Sequence, residues 1–356
     1  MKRSVFSLLA LLLFVTGVSA QLKFVDAAQF GLVNKLSPTE NRYHRVDTHK
    51  YELTESEANL LHMPAGMALV FRTNSSRIGV RTEFLNYSLS RSSTTAVSQT
   101  GYDLYIRRDG EWLYAGSNAP KDEHAEQMLI RNMDNSEKEC LLYLPLFSEL
   151  KRIEIGIDEG ATIETMPNPF RHRIVIFGSS YTHGTSTGRP GMSYPMIMQR
   201  NTGLQFISLG VSGNSKLQQS FARIIGDNAC DAIIVDAFSN PGPEMIRERF
   251  LPFVESIQKA HPGVPLIFLQ TIYRERANFD LKERAREEEK RRAAREVFDE
   301  ASKIYDDIYF VDEPNLTGTD HITSLDGTHP DDLGYWRWAN AIQPRIVKIL
   351  KKYGIR

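Results

Sequence analysis

The second half of the chain carries five short apolar runs, which constrain the fold more than any other feature. They read RIVIFG, LQFISLG, DAIIVDAF, VPLIFLQTIY and DIYFVD, at residues 173–178, 204–210, 231–238, 264–273 and 307–312. Runs of this kind, rich in β-branched residues, are typical of strands buried on both faces. Segments with helical character, such as residues 216–226 and 243–260, separate them. Strands that alternate with helices predict βαβ units around a parallel sheet.

The first half of the chain has a different period of apolar side chains. Residues 67–74, 77–84, 102–116 and 151–157 alternate apolar and polar side chains, which indicates half-buried strands. An Asp-Gly pair within the third segment is typical of a β-hairpin. We therefore predict an antiparallel, jelly-roll-like β-sandwich over residues 21–168. A proline-rich linker, MPNPF, leads into an α/β domain over residues 169–356.

The first twenty residues have the pattern of an export signal. Lys2 and Arg3 precede an apolar stretch at residues 6–15, and small residues end the segment at positions 18–20. This arrangement predicts a secretory signal peptide that is cleaved after Ala20. The expected location is the periplasm or the exterior, without stable membrane insertion after cleavage. A retained anchor is the alternative.

The charge balance and the few cysteines argue against a nucleic-acid partner, a disulfide and a metal site. The 43 basic residues nearly balance the 44 acidic ones, so nothing predicts a nucleic-acid partner. The two cysteines, Cys140 and Cys230, fall in different predicted domains, and two buried thiols are favoured over a disulfide. No Cys/His cluster has the spacing of metal ligands, so we expect neither a metal nor a cofactor.

A dense run of charges covers residues 281–305. Many of its Glu and Arg residues fall three or four positions apart, which favours a solvent-exposed helix. A basic binding arm is the other interpretation, and it is disfavoured because the two signs cancel.

Small polar motifs follow the predicted strands. GSSYTHG follows the first, GVSGNS the second and AFSNP the third, and DGTHP comes in the loop after the fifth. Each motif alone is equally explained by turn or capping chemistry. The carboxyl ends of parallel strands meet at one edge of a sheet, where ligand sites form. Together the motifs predict a site that contains a serine, a glycine, an asparagine and an Asp-x-x-His pair.

In this order the motifs resemble the SGNH, or GDSL-type, hydrolases. IFGSSYTHG is similar to the first block of that family, LGVSGNSKL to the second, DAFSNP to the third and DGTHPDDLG to the fifth. The first block departs from the usual G-D-S, because Ser179 stands where an aspartate is common. It resembles the GSS-type branch, in which an N-terminal β domain is frequent. The resemblance covers roughly residues 171–356 and implies a three-layer, flavodoxin-like α/β domain.

The resemblance also implies roles for particular residues. Alignment on the glycine of the first block makes Ser180 the nucleophile, with Ser179 second. His329 is implied as the general base and Asp326 as its orienting carboxylate. The oxyanion hole would consist of the backbone N–H groups of Ser180 and Gly213 with the side chain of Asn240.

Other polar or aromatic residues near these motifs have weaker assignments. His183 is interpreted as a polar loop residue and not as the base. The side chains that could either line the pocket or simply pack are Tyr181, Arg189 and Tyr194. One of Trp336 and Trp338, on the last helix, is expected to pack on the sheet.

The function that the resemblance implies is ester hydrolysis. We expect an exported serine esterase acting on O-acyl esters, most simply O-acetyl groups of a polysaccharide or a small-molecule ester. A lipid or thioester acylhydrolase could use the same residues. A carbohydrate-binding protein with an inactive hydrolase domain is an alternative from another class. A flavodoxin-like ligand binder gives no reason for Asp326 beside His329.

Overall fold

The computed structural model describes residues 21–356, so the predicted signal peptide lies outside the described residues. Within residues 21–356, no helix combines the length and the apolar character needed to cross a bilayer.

The N-terminal half contains two antiparallel sheets. Their strands are β1 (Lys23–Asp26), β2 (Gly31–Val33), β3 (Ala68–Thr73), β4 (Ile78–Asn86), β5 (Tyr102–Arg108), β6 (Glu111–Asn118), β7 (Gln127–Ile130), β8 (Lys138–Tyr143), β9 (Glu149–Ile157) and β10 (Ile163–Thr165). One sheet has the order β1-β9-β4-β7, and the other has the order β10-β3-β8-β5-β6 with β2 added beside β3. Apolar residues of β3, β4, β8 and β9 form a core shared between the sheets. The predicted all-β sandwich is confirmed.

Local signals explain two features of this half. The β5–β6 hairpin turns at Asp109 and Gly110, whose φ angles of 52° and 86° suit the left-handed pair that a tight hairpin requires. The half also contains helix α1 (Glu55–His62), which strand alternation did not predict, and a short α2 (Ala96–Thr100). Thr54 and Glu57 form a capping box at the start of α1, so a start signal was present in the sequence.

The C-terminal half contains a five-stranded parallel sheet. Its strands are β11 (Arg171–Gly178), β12 (Leu204–Gly210), β13 (Ala232–Asp236), β14 (Leu266–Leu269) and β15 (Ile308–Val311). Their order in the sheet is β12-β11-β13-β14-β15. This is the flavodoxin-like order, in which β11 lies at the switch point between its neighbours β12 and β13. All five predicted strands are present, and so is the predicted fold class.

Helices cover both faces of this sheet. They are α3 (Ser180–His183), α4 (Tyr194–Thr202), α5 (Gln219–Gly226), α6 (Pro243–Ala260), α7 (Leu281–Ala301) and α8 (Asp332–Lys351). Ile174 and Ile176 of β11 share one apolar cluster with α4 and α8, while Val175 and Phe177 share another with α5, α6 and α7. Successive side chains point to opposite faces, so a continuous apolar run packs against both helix layers.

A buried ion pair joins the two halves. Arg189, in the loop after α3, donates from Nη1 to both carboxylate oxygens of Asp103 on β5, at 3.0 and 2.8 Å. The backbone N–H of Gly191 donates to the same carboxylate at 2.9 Å. Arg189 therefore holds the loop that leaves the β11 edge against the sandwich. Of the two roles open to Arg189 in the sequence, packing between the halves is the one observed.

Candidate active site

The turn from β11 into α3 separates the roles of the two serines. The Ser179 side chain is fully buried and caps α3, because its Oγ accepts the backbone N–H of Tyr181 at 3.2 Å. Ser180 is the first residue of α3, so its own N–H has no acceptor within the helix. Its Oγ points away from the cap toward His329. Ser180, not Ser179, therefore presents its hydroxyl to the imidazole.

The DGTHP segment forms a compact turn around one carboxylate. Asp326 accepts the backbone N–H groups of Thr328 at 2.9 Å and of His329 at 2.8 Å through Oδ1. Its Oδ2 lies 2.8 Å from Nδ1 of the His329 ring. Gly327, between them, has a φ of +79°, a conformation that favours glycine. Burial opposes ionisation of Asp326, but the backbone and ring of His329 together hold its pKa below 3.8. The carboxylate therefore stays charged beside the imidazole.

The third contact completes a hydrogen-bonded chain. Nε2 of His329 lies 2.8 Å from Oγ of Ser180. The Tyr181 hydroxyl donates to the Thr328 carbonyl at 3.1 Å, and its ring contacts the imidazole edge to face at 5.6 Å between centroids. Burial lowers the pKa of His329 despite the opposing effect of Asp326. A neutral imidazole with Nδ1–H toward Asp326 leaves Nε2 free to accept the serine proton.

Two further predicted residues follow the strands that flank β11. Gly213, after β12, has a φ of +77°, and a Cβ added there would meet no atom within 4 Å. Asn240, after β13, accepts the backbone N–H of Ser215 at 3.2 Å through Oδ1. A backbone N–H can only donate, so this bond fixes the amide and leaves Nδ2 as the free donor. Both residues can therefore offer N–H donors at the edge where Ser180 lies.

A buried cationic pair beneath Asn240 had no signal in the sequence. Lys290 Nζ and Arg274 Nη2 each donate to the Ser239 carbonyl oxygen at 2.8 Å. The Lys290 side chain is completely buried and pairs with Glu287 one turn earlier on α7. The prediction of a solvated helix for this segment is therefore wrong on one face. The mixed charge pattern hid these buried residues, because exposed and buried ion pairs share the same helical spacing.

The other polar and aromatic residues near the motifs pack in the interior, with the exception of Trp336. His183 is buried and not a polar loop residue as interpreted; its Nε2 lies 2.7 Å from the Leu146 carbonyl oxygen. Burial lowers its pKa well below 6.5. Tyr194 and Trp338 are buried and stack at 4.6 Å, whereas Trp336 is 52% exposed. One tryptophan packs beneath the sheet, as expected.

A histidine–glutamate cluster forms in the fold, although the sequence has no Cys/His cluster with the spacing of metal ligands. His44, His62 and Glu149 come together, with His44 Nε2 at 2.7 Å and His62 Nδ1 at 3.8 Å from Oε1 of Glu149. The imidazoles stack nearly parallel at 4.1 Å, so their in-plane lone pairs do not converge on one point as tetrahedral coordination needs.

The two cysteines do not form a disulfide. Both are free thiols, and Cys140 is buried whereas Cys230 is only partly buried.

Comparisons with known proteins agree with this fold. Residues 171–347 match the model of the GDSL-like lipase/acylhydrolase family, and residues 22–163 match the model for the N-terminus of SGNH-hydrolase-type esterases. A crystal structure of a Bacteroides ovatus protein assigned to the GDSL-like lipases shares 41% identity at a TM-score of 0.90. The match covers 93% of this chain and 98% of that one. No curated protein sequence matches at a significant level.

More distant structures share the architecture over more than nine-tenths of the chain. The salicylyl-acyltransferase SsfX3 of a tetracycline biosynthetic pathway is 21% identical, with a TM-score of 0.70 and coverage of 94% of this chain and 99% of that one. A family two carbohydrate esterase from Cellvibrio japonicus is 12% identical, with a TM-score of 0.61 and coverage of 92% and 98%. At these identities the likeness concerns the fold.

The class of protein follows from the fold, the family models and the B. ovatus relative: this is a carboxylic ester hydrolase. More narrowly, the chain belongs to the GDSL-like lipase/acylhydrolase family, with the N-terminal β domain of SGNH-hydrolase-type esterases.

Proposed function

We propose that this protein is an exported serine esterase that removes O-acyl groups, in particular O-acetyl groups, from a carbohydrate. The hydrogen-bonded chain from Ser180 through His329 to Asp326 carries the catalytic part of the proposal. The contacts of 2.8 Å from Ser180 Oγ to His329 Nε2 and from His329 Nδ1 to Asp326 Oδ2 support this assignment, because a nucleophile and its base must lie within hydrogen-bond reach. Export is supported by the signal-peptide pattern of residues 1–20.

The reaction proceeds through an acyl-enzyme. Ser180 Oγ attacks the ester carbonyl carbon while His329 Nε2 accepts the hydroxyl proton. Asp326 holds the ring with Nδ1–H toward itself and stabilises the imidazolium that forms. His329 then donates the proton to the leaving alcohol oxygen. Water then attacks the acyl-enzyme carbonyl carbon while His329 Nε2 accepts one of its protons. Collapse of this second tetrahedral intermediate breaks the bond to Ser180 Oγ and releases the carboxylic acid, and His329 returns the proton to Oγ.

The negative charge of the tetrahedral intermediate needs donors at the same edge. The candidates are the N–H groups of Ser180 and Gly213 and the Nδ2 of Asn240. They are supported by the orphan N–H at the start of α3, the open left-handed turn and the amide fixed by Ser215. Removal of one such donor typically raises the barrier by about 2.7–4 kcal/mol.

The proposed substrate class is supported by the fold similarity and by the predicted export, and not by a contact within the site. The fold is shared with a family two carbohydrate esterase over most of both chains, and a carbohydrate ester suits an exported enzyme. The B. ovatus relative is assigned to the GDSL-like lipases, so lipid or thioester hydrolysis is the competing outcome of the test below. A binding protein with an inactive hydrolase domain is disfavoured, because a dead site gives no reason to keep the Ser180–His329–Asp326 chain aligned.

Hydrolysis of p-nitrophenyl acetate beside a long-chain p-nitrophenyl ester tests the proposal. We expect the acetate to be preferred and Ser180→Ala to lower kcat by at least about 10³-fold. Ser179→Ala is the matched control: it loses a helix cap, which costs about 1 kcal/mol of stability, and should keep most of the activity. Full activity in Ser180→Ala would contradict the mechanism. Preference for the long chain would move the substrate to the lipid class.

A further inference from the structure

Arg91 brings a positive charge from the sandwich to the edge of the candidate oxyanion hole. It lies in the segment between β4 and α2, and its Nη1 is 3.3 Å from Oγ of Ser212, the residue before Gly213. Its guanidinium carbon lies 4.0 Å from the ring centroid of Phe147. The N-terminal half thus places a cation beside a loop that belongs to the active site.

The donors of Arg91 are poorly occupied compared with those of Arg45 and Arg189, two other arginines between the two halves. Arg45 is fully buried and donates to three backbone carbonyl oxygens, and Arg189 is paired with Asp103. Within residues 21–356, the Arg91 side chain has the Ser212 hydroxyl as its single hydrogen-bond partner, and no carboxylate lies within 4.0 Å. A half-buried guanidinium loses hydration without gaining a counter-charge, which is unfavourable unless a ligand supplies the charge.

Two hydrogen bonds to the Gln99 side chain fix the backbone of Arg91. Its backbone N–H donates to Oε1 of Gln99 at 2.9 Å, and its carbonyl oxygen accepts Nε2 of the same side chain at 3.0 Å. Gln99 is itself 3% exposed. The planar guanidinium rests on Phe147 while the remaining N–H groups stay available. A rigid fork of this kind suits a carboxylate.

Arg91 is also close enough to influence the reacting groups. Burial is the largest cause of the lowered pKa of His329, and the charges of Arg274 and Arg91 lower it further. Arg274 is neutralised by its own partners, Glu283 and Glu287. The charge of Arg91 has no such partner and is available to a substrate bound at Ser180.

We propose that Arg91 binds a carboxylate carried by the ester substrate, so that acidic esters are preferred over neutral esters of the same size. The inference rests on the proposed esterase function. The carboxylate can belong to the acyl group, as in a half-ester of a dicarboxylic acid, or to the alcohol, as in an acylated uronic acid.

Two matched substrate pairs separate these sources. Mono-p-nitrophenyl glutarate against p-nitrophenyl valerate tests the acyl side, and 3-acetoxybenzoate against 3-acetoxybenzamide tests the alcohol side. The measured quantity is the ratio of kcat/KM for the charged over the neutral member. We expect a ratio well above one for one pair in the unmodified enzyme. Arg91→Met should lower that ratio by about tenfold to a hundredfold, the range of a charge-assisted hydrogen bond, and Arg91→Lys should lower it less.

Arg200→Met is the control for charge and for loss of an arginine packed on aromatic rings. Its guanidinium carbon lies 4.1 Å from the ring centroid of Tyr105, also between the two halves. This variant should leave the ratio unchanged. A ratio near one for both pairs in the unmodified enzyme would overturn the inference. An equal loss on charged and neutral esters in Arg91→Met would do the same, because it would mean that Arg91 only supports the Ser212–Gly213 loop.

Failure of the esterase function has a different signature. If no ester, p-nitrophenyl acetate included, is turned over by the unmodified protein, the proposed function fails. Equilibrium binding of the charged and neutral esters then decides the role of Arg91. Weaker binding of only the charged members to Arg91→Met supports the carboxylate site, and equal binding to both proteins contradicts it.

Discussion

Oγ of Ser180 lies 2.8 Å from Nε2 of His329, although 149 positions separate the two residues in the chain. Ser180 begins α3 at the carboxyl end of β11, and His329 lies in the turn that precedes α8. Asp326 binds the far side of the same ring, so one imidazole connects a central strand to the C-terminal turn. This alignment makes the chemistry of the site testable.

The first prediction concerns pH. His329 must be neutral to accept the serine proton, and burial holds its pKa below 6.5. The value of kcat/KM on p-nitrophenyl acetate should therefore rise with pH through an inflection below 6.5 and stay level through neutral pH. Initial rates at constant ionic strength measure this profile. An inflection above 6.5 would show that the imidazole is not held in this environment.

Asp326→Asn tests the orientation of the same imidazole. The amide keeps the size of the side chain but removes the charge that stabilises the imidazolium, so kcat should fall by about 10⁴-fold. Circular dichroism and thermal unfolding serve as controls, because Oδ1 of the new asparagine can still accept the N–H groups of the turn. Activity near that of the unmodified enzyme would exclude Asp326 from the mechanism.

Lys290→Met tests the buried support of Asn240. Loss of one of the two cations on the Ser239 carbonyl should loosen Asn240, and so lower kcat by about tenfold or more while KM changes little. Lys282→Met, an exposed change on the same helix, is the control.

A double variant separates this positioning role from general destabilisation. Asn240→Ala should lose much of its own effect in the Lys290→Met background, because both changes act on one donor. Full additivity, measured well below the unfolding temperature, would mean that Lys290 stabilises the fold without positioning Asn240.

The raised pKa of the buried Asp236 carboxyl predicts how the free energy of unfolding changes with pH. Burial raises its pKa to about 7, although Thr182 and Tyr194 donate to its Oδ2. Between its ordinary value of 3.8 and about 7, the folded protein binds more protons at this side chain than the unfolded chain does. The free energy of unfolding should therefore fall as pH rises through this window, by about 4 kcal/mol from this group, and be constant above it.

Asp236→Asn removes that titration while keeping an oxygen acceptor. Relative to the unmodified protein, the variant should become progressively more stable as pH rises from about 4 to 7. Urea unfolding at several pH values measures the difference. Parallel stability curves for the two proteins would contradict the raised pKa.

Short-range patterns in the sequence were enough to predict much of the architecture. The five apolar runs became the five parallel strands, and the Asp109–Gly110 pair became a hairpin turn. The Asp326–His329 contact was also foreseeable, because one carboxylate binds its own turn and the ring three residues later. These features depend on side-chain period and on hydrogen bonds within a few residues, so the local sequence contains the information that they need.

Only the tertiary structure decided the rest. Ser179 and Ser180 are chemically alike, and the turn after β11 determines which one caps the helix and which one faces His329. The same holds for Lys290, which looks like any charge on a solvated helix, and for Arg91, which no motif marks. Their roles depend on which distant backbone or ring lies beside them. Those neighbours come from packing across the sheet and between the two halves, which no window of sequence records.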